Sequence, residues 1–356
     1  MKINVIITTY NHEKYIAQCL ESILEQKGGF RLEVIVGDDA STDNTRKIVE
    51  EFQKKHPETI SILPIEQNLG ITKNLKRCLD VCTGEYIAIC EGDDYWTDDY
   101  KLQKQMTFLE KHLDFSMCFS ALMIYHQKFN IFEPFQAQLQ LTKDFISTED
   151  LILMNSIGNF SCCMYRTKVI RQFPDELFDL FTVDWMFNMV CGQFGKIGFI
   201  RDWMSVYRKH TQGVWVGLSN LDRITELLRL ADTYNHFFEY KYNYYFKILQ
   251  NSLIELQKLQ NLDESEKIVE VYDTDETALK HKLHFLQAAV IENHQTLHAL
   301  SKQVAKQEQE AQSLQAYLKE QRNQINAIYQ STSWRITQPI RNIKLLVERL
   351  LAGLNH

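Results

Sequence analysis

Within the first hundred residues, four short apolar runs alternate with segments of helical period. The runs are Asn4-Val5-Ile6-Ile7-Thr8, Leu32-Glu33-Val34-Ile35-Val36, Ile60-Ser61-Ile62-Leu63 and Tyr86-Ile87-Ala88-Ile89-Cys90. Between them, residues 14–26, 42–54 and 72–82 read as helices, the first with Ile16, Leu20, Ile23 and Leu24 at helical spacing. Ser41, Thr42 and Asp43 are all good N-cap residues, so the second helix is expected to start there. Asn68-Leu69-Gly70 and Thr83-Gly84-Glu85 read as turns. Strands alternating with helices imply an α/β fold with a mostly parallel sheet covered on both faces. In such sheets ligands bind outside the carboxyl ends of the strands.

Those carboxyl ends are acidic. The fourth run closes on Glu91-Gly92-Asp93-Asp94, followed by Tyr95-Trp96, and the second closes on Asp38-Asp39. Glu91 and Asp93 are two apart, so on an extended backbone they face the same side, with Asp94 turned away toward a bound sugar. Clustered hard oxygens suit Mg²⁺ or Mn²⁺ beside a phosphate. Asp39 is placed to accept a hydrogen bond from a pyrimidine N–H. Thr8 and Tyr10 end the first strand at the same edge, Tyr10 to pack on a base and Thr8 to bond base or ribose. Taken singly, Asp38 and Asp39 read as helix-capping acids, and the Glu91–Asp94 stretch as a solvated turn. Three polar strand ends at one edge favour the ligand reading.

The rest of the chain is less regular. Residues 100–112, 148–154 and 184–191 are expected to be helical, and 115–124, 160–165 and 196–200 to be strands. A long helical region dense in Tyr and Phe follows over 219–258, then an acidic, patternless linker over 261–276. From Leu283 to Ile328, apolar residues fall at alternating spacings of three and four, with Asn293, Gln307 and Gln321 interrupting at one heptad position. This predicts a coiled coil between copies of the chain, or else a long helix folded back on the first domain. Residues 331–356 carry Arg335, Arg341, Lys344 and Arg349 beside a leucine stripe. Such a helix lies at an anionic membrane surface or caps the coil. The expected division is 1–217, 218–260, 261–277, 278–330 and 331–356.

With 356 residues and a net charge of −7, the chain is long enough for several domains and too acidic for a general nucleic-acid binder. None of its eight cysteines forms a Cys-x-x-Cys pair, which argues against a zinc knuckle. No N-terminal signal stretch or membrane-length apolar run is visible, so a cytoplasmic location is expected, with peripheral contact to the inner face of the membrane.

Val5-Ile6-Ile7-Thr8-Thr9-Tyr10-Asn11, Gly37-Asp38-Asp39-Ala40-Ser41-Thr42-Asp43-Asn44, Asn68-Leu69-Gly70, Thr83-Gly84-Glu85-Tyr86 and Glu91-Gly92-Asp93-Asp94 come in the order seen in family 2 glycosyltransferases. Over roughly residues 3–215 the chain resembles that family. The resemblance implies a GT-A fold and inverting transfer of a sugar from a nucleotide-diphosphate donor, here a UDP-sugar, to a glycan, lipid-linked or protein acceptor. It implies that Asp39 contacts the base and Asp93 ligates the metal, with Glu91 where the family often has Asp. Thr182-Val183-Asp184-Trp185 matches the family's catalytic-base element, so Asp184 would take the acceptor proton. By itself Asp184 reads equally well as a helix cap. Tyr207-Arg208-Lys209-His210 resembles an element whose His reaches metal or diphosphate, and the Gly213–Gly217 stretch around Trp215 suits a lid. Trp185, Arg208 and Trp215 are assigned to the lid and acceptor side. The chain departs from the family after Asn68-Leu69-Gly70: Leu75 stands where many members have a nucleotide-holding Arg, which leaves Lys73 or Lys76 to substitute. Residues 331–341 are similar to a short element near the ends of some bacterial surface-polysaccharide glycosyltransferases, favouring a membrane-side acceptor. Against the enzyme stand two other readings. One is a scaffold that assembles a synthetic complex through the coiled coil. The other is a nucleotidyltransferase, which lacks here the Gly-rich basic loop expected to grip a triphosphate.

Overall fold

The computed structural model describes residues 1–181, 184–211 and 219–266. The first four strands are β1 (Lys2–Thr9), β2 (Arg31–Asp38), β3 (Ile60–Ile62) and β4 (Tyr86–Glu91), with helices α1 (Ile16–Leu24), α2 (Thr45–Lys55) and α3 (Ile71–Asp80) between them. Then come β5 (Tyr95–Trp96), α4 (Lys101–Lys111), β6 (Phe115–His126), β7 (Ile131–Pro134), α5 (Gln136–Leu139), β8 (Phe145–Ile146) and α6 (Thr148–Leu153). A 3₁₀ turn at Phe160–Cys162 leads into β9 (Cys163–Arg166), α7 (Thr167–Ile170), α8 (Asp184–Gly192), β10 (Lys196–Lys209), α9 (Asn220–Phe237) and α10 (Asn243–Glu266).

One sheet runs in the order β3-β2-β1-β4-β9-β6-β10-β5, with β7 on β6 and β8 on β10. β1 pairs in parallel with both β2 and β4, and β10 in parallel with β6. β9 is antiparallel to both β4 and β6 and joins the two parallel halves. β1, β2, β4 and β10 therefore end at one edge, which places Thr9, Asp38, Glu91 and Lys209 together.

The two-residue period of a strand divides the core. Ile3, Val5, Ile7, Val34, Val36, Ala88 and Cys90 point to the face covered by α1, α2 and α4, with Ile16, Leu20, Leu102 and Met106 packed on them. Ile6, Ile35, Ile87, Ile89, Met117 and Phe119 point to the opposite face, which α3, α8, α9 and α10 cover. Both faces are covered, so the central strands are mostly apolar, as an α/β sheet requires. Gly37 lets α3 approach β2 closely. A Cβ there would lie 2.4 Å from Cys78 Sγ, and the Asn74 amide donates to the Gly37 carbonyl at 2.7 Å.

Several elements differ from expectation for local reasons. α2 begins at Thr45, not at 42, because Thr42 N–H donates to Asn11 Oδ1 and Asn44 N–H to Glu13, which holds 41–44 as a bridge to the β1 turn. The first residues of 160–165 form a 3₁₀ turn, since the Asn159 side chain caps Ser161 N–H. The 219–258 region is two helices, broken where Glu239 and Tyr240 adopt left-handed backbone at φ 49° and 60°. α10 continues to Glu266, into the stretch expected to be linker. β10 runs nine residues past Ile200, with register shifts between Ile200 and Ser205 that bend it before Tyr207. The expected coiled coil, basic helix and Trp215 lid lie outside the described residues. Among the described residues no helix is long and apolar enough to cross a membrane.

Candidate active site

The turn after β4 is held from below by Asp94. This side chain is 1% exposed, and its carboxylate accepts from the Asn159 amide, the Ser161 hydroxyl at 2.6 Å and the Arg208 backbone N–H at 2.9 Å. Burial, then the charge of Asp93, pushes the Asp94 carboxyl well above the usual range. Asp94 thus ties the 3₁₀ turn and β10 to the end of β4 and points into protein, and it is not among the residues that line the cavity described below.

Asp93 points the other way. Its Oδ2 lies 2.8 Å from His210 Nε2, and its Oδ1 lies 3.9 Å from His12 Nδ1. Burial alone would raise its pKa; the His210 hydrogen bond and the charges of His12 and His210 bring it below the ordinary carboxylate value. His12 is held lower than an ordinary histidine by burial, an effect Asp93 opposes and His210 reinforces. His12, Asp93 and His210 each present a ligand atom, all within 4.8 Å of one another, and His12 Nδ1 is buried with no hydrogen-bond partner. Two imidazoles and a carboxylate around an unpartnered nitrogen fit a divalent cation.

Gly92 makes this approach possible. A Cβ there would sit 2.5 Å from Thr9 Oγ1 and 3.0 Å from His12 Nδ1. His12 itself is aimed by the β1 turn, where Asn11 takes φ 57° and donates its N–H to Ser41 Oγ. Asn tolerates that conformation better than most residues. The histidine was overlooked in sequence, although its place three residues beyond the end of β1 at the acidic edge was a usable signal. Asn159 and Ser161 carried no such signal, being about 65 residues from Asp94.

Arg208 is buried, and it lines the cavity described below. Its Nε donates to the Asp93 carbonyl at 2.8 Å, its Nη2 donates to Gln18, and its guanidinium lies 4.9 Å from the Tyr15 ring, 5.2 Å from Tyr95 and 5.5 Å from Tyr125. This cage fixes Asp93 by its backbone. Tyr15 also packs at 4.7 Å on the His210 ring.

The second acidic tip is braced differently. Asp39 accepts from Leu69 N–H at 2.8 Å and Gly70 N–H at 2.9 Å, and its own N–H donates to Thr9 O. Each ionised oxygen keeps a second acceptor position. The adjoining Ala40 is strained into left-handed backbone at φ 61°, unusual for a residue with a Cβ. Tyr10 is 44% exposed beside it, and Thr8 is half-buried. Lys73 is exposed on α3. A cation missed in sequence, Arg77, donates to the carbonyls of Asp38 and Pro64 and to Asn74.

A cavity of about 550 Å³ opens at this edge, lined in part by Glu91, Asp93, Asp184, Trp185, Tyr207 and His210. Asp184 starts α8, and Trp185 is anchored by its indole N–H to the Leu151 carbonyl at 2.6 Å. Burial raises the Asp184 carboxyl to about 7, against the Trp185 N–H and Asn155 hydrogen bonds that lower it, and one of its oxygens is buried without a partner. Burial also raises Glu91, helped by the charges of Asp94, Asp93 and Asp184. The cavity thus holds one carboxylate kept ionised by imidazoles and another poised to exchange a proton near neutrality, the pattern of an acid–base site.

Residues 4–173 match the sequence profile of Glycosyl transferase family 2. That segment of the chain is similar to the family. The family 2 match spans β1 through α7 and so includes Asp39, Asp93 and His12, while Asp184 and His210 lie beyond it. An uncharacterized protein of Mycobacterium tuberculosis is 32% identical over 215 residues, 60% of each chain. The dTDP-rhamnosyl transferase RfbG of Shigella flexneri is 40% identical over 97 residues, 26% of this chain and 33% of that one. The chain spans about 60% of the length of the first of these curated relatives. Among solved structures, S. aureus TarS 1-349 in complex with UDP-GlcNAc matches 65% of each chain at 24% identity and a TM-score of 0.50, a likeness of fold. This part of the chain therefore has the GT-A architecture its sequence implied.

Proposed function

We propose that this protein is a metal-dependent inverting glycosyltransferase that moves a sugar from a nucleotide diphosphate, a UDP-sugar, to an acceptor hydroxyl. One observation carries the reading: Asp184, its carboxyl raised to about 7, shares a single cavity with Asp93 and His210. Asp184 takes the proton from the acceptor hydroxyl as that oxygen attacks the anomeric carbon, and the bond to the diphosphate breaks on the opposite face. The transition state has oxocarbenium character. Asp93, His210 and His12 would hold the cation, whose chemistry is to offset charge on the departing diphosphate. Two imidazoles favour Mn²⁺ over Mg²⁺, which prefers all-oxygen shells. Thr8, Tyr10 and Asp39 receive the nucleoside, and Glu91 the donor ribose or sugar. Asp94 and Arg208 position the metal ligands.

The test is a panel of UDP-sugars with Mn²⁺, read by donor hydrolysis and transfer, alongside Mn²⁺-dependent UDP binding. Asp93→Ala should lose that binding and Asp184→Asn should retain it while losing transfer. A wild-type protein that neither binds UDP with metal nor turns over any donor would overturn this reading. The proposed coiled coil over 278–330 makes the chain a homo-oligomer, and the 331–356 helix brings it to an anionic membrane surface. Light scattering and vesicle sedimentation of a variant lacking 278–356 test both, and an unchanged mass or unchanged vesicle binding would refute them.

A further inference from the structure

The sheet edge that carries His210 also carries an exposed apolar hairpin. β6 runs parallel to β10, so both end at that edge, and the Gln127 N–H donates to the carbonyl of Lys209, the residue before His210, at 3.1 Å. The chain then turns back into β7 through Lys128, Phe129 and Asn130, with the Phe129 N–H on the His126 carbonyl and Asn130 in left-handed backbone at φ 53°. Phe129 is 64% exposed, Ile131 56% and Phe132 49%. Three large apolar side chains left this open within four residues mark a contact surface. The shape of the tip decides what it contacts. Ile131 stands opposite His126 and Phe132 opposite Tyr125 across the strand pair, and neighbours along a strand point to opposite faces. The tip is therefore apolar on both faces. A flat protein partner covers one of them, whereas a fluid apolar medium closes around both.

Charge points to the same medium. Residues 125–134 hold a single acid, Glu133, and His126 Nε2 engages it at 2.7 Å. Lys128 is exposed, its ammonium 5.4 Å from the centre of the Phe129 ring, and Lys209 is exposed at the foot of the hairpin. Aromatic side chains with flanking lysines suit the headgroup layer of a bilayer, where the rings bury and the ammonium groups meet phosphate. The hairpin is also braced from within. Tyr125 stacks on Phe132 at 4.4 Å and donates its hydroxyl to Asn130 Oδ1 at 3.0 Å. The Tyr125 ring lies 5.5 Å from the Arg208 guanidinium, which holds the Asp93 carbonyl. We propose that the β6–β7 hairpin is a membrane wedge. Phe129, Ile131 and Phe132 enter the headgroup boundary of an anionic bilayer, Lys128 meets lipid phosphate, and the edge bearing His210 faces that surface. This contact is separate from the 331–356 helix and does not depend on sugar transfer.

The experiment uses the full-length protein and phosphatidylcholine vesicles with or without phosphatidylglycerol. All eight native cysteines are buried, so Phe129→Cys takes a nitrobenzoxadiazole label at the tip alone. On the anionic vesicles its emission should rise and shift to the blue, and nitroxide-labelled acyl chains should quench it. In sedimentation, the Phe129→Ser/Ile131→Ser double variant should bind these vesicles about tenfold more weakly or worse. Its melting temperature should match wild type, since both side chains are exposed. Lys128→Gln should weaken binding about fivefold on anionic vesicles and leave phosphatidylcholine alone unaffected. A label that stays in water while the protein sediments with vesicles overturns the proposal, and so does full binding by the double variant, which would leave the 331–356 helix as the whole contact. A change in the double variant's mass by light scattering also overturns it, because the tip would then join copies of the chain. UDP binding with Mn²⁺ should be the same in wild type and the double variant, so loss of the wedge leaves the glycosyltransferase reading standing.

Discussion

Replacing Asp184 by Asn separates catalysis from stability, because the two effects have opposite signs. In the folded protein the carboxyl is raised from 3.8 to about 7. Between those values the folded chain keeps a proton that the unfolded chain has released. The stability contributed by this group is therefore greatest below pH ~4, declines as pH rises through about 7, and levels off above it. A shift of about three units at ~1.36 kcal/mol each amounts to about 4 kcal/mol. Partial solvent contact of the side chain makes that an upper limit, and about 1–3 kcal/mol is expected. The neighbouring groups are Glu91, whose own raised carboxyl is sensitive to the Asp184 charge, and Tyr207, also pushed up first by burial and then by these carboxylates. Asn cannot ionise, so the variant should match wild type near pH 4 and exceed it at pH 8. At roughly 2–4 °C per kcal/mol for a domain of this size, the gain is several degrees. Thermal melts without metal or nucleotide at both pH values read it directly. Sugar transfer should fall by roughly 10²–10⁴ in the same variant, and wild-type transfer should rise with pH through about 7. A variant no more stable than wild type at pH 8, or one that keeps a substantial fraction of transfer, refutes Asp184 as a buried base.

The other perturbations act around Asp93. Gly92→Ala puts a methyl within 2.5 Å of Thr9 Oγ1 and 3.0 Å of His12 Nδ1, which should cost about 1–3 kcal/mol and displace the histidine; unaltered melting and Mn²⁺ affinity would contradict the packing described. His12→Ala should weaken Mn²⁺ binding about tenfold or more by calorimetry while leaving the fold intact, and equal affinity would remove His12 from the ligand set. Asp94→Ala leaves Arg208 N–H, Asn159 and Ser161 without their acceptor, at about 1–3 kcal/mol per orphaned group. It should lower the melting temperature more than Asp93→Ala does, and the reverse ranking would show that Asp94 is not the brace. Mn²⁺ should support transfer better than Mg²⁺, and equal rates with both would speak against histidine ligation.

Much of this fold is readable from the chain because its local signals agree. The apolar runs at β1, β2 and β4 need two covered faces, and the intervening helix periods supply the covers. The acids at Asp39 and Asp93 are legible because a strand end is a position defined by sequence. Asp94 was legible as an acid but not as a buried one. On an alternating backbone its direction is known, whereas what waits there, Asn159 and Ser161 from 65 residues away, is not. Arg208 was legible as a cation of the site but not as a buried one, because the three tyrosines that cage it come from three separate segments. His12 could have been found from its place near a strand end, but its value depends on meeting His210, nearly two hundred residues on.

The sequence by itself determined the α/β alternation, the acidic sheet edge and the family resemblance of residues 4–173, since each depends on residue type at short spacing. Tertiary structure decided which acids face the cavity, that two histidines join Asp93, and that Asp184 shares a hollow with Asp93. Those outcomes depend on long-range packing and on the loss of water around charged groups, and neither is encoded within a short window of residues.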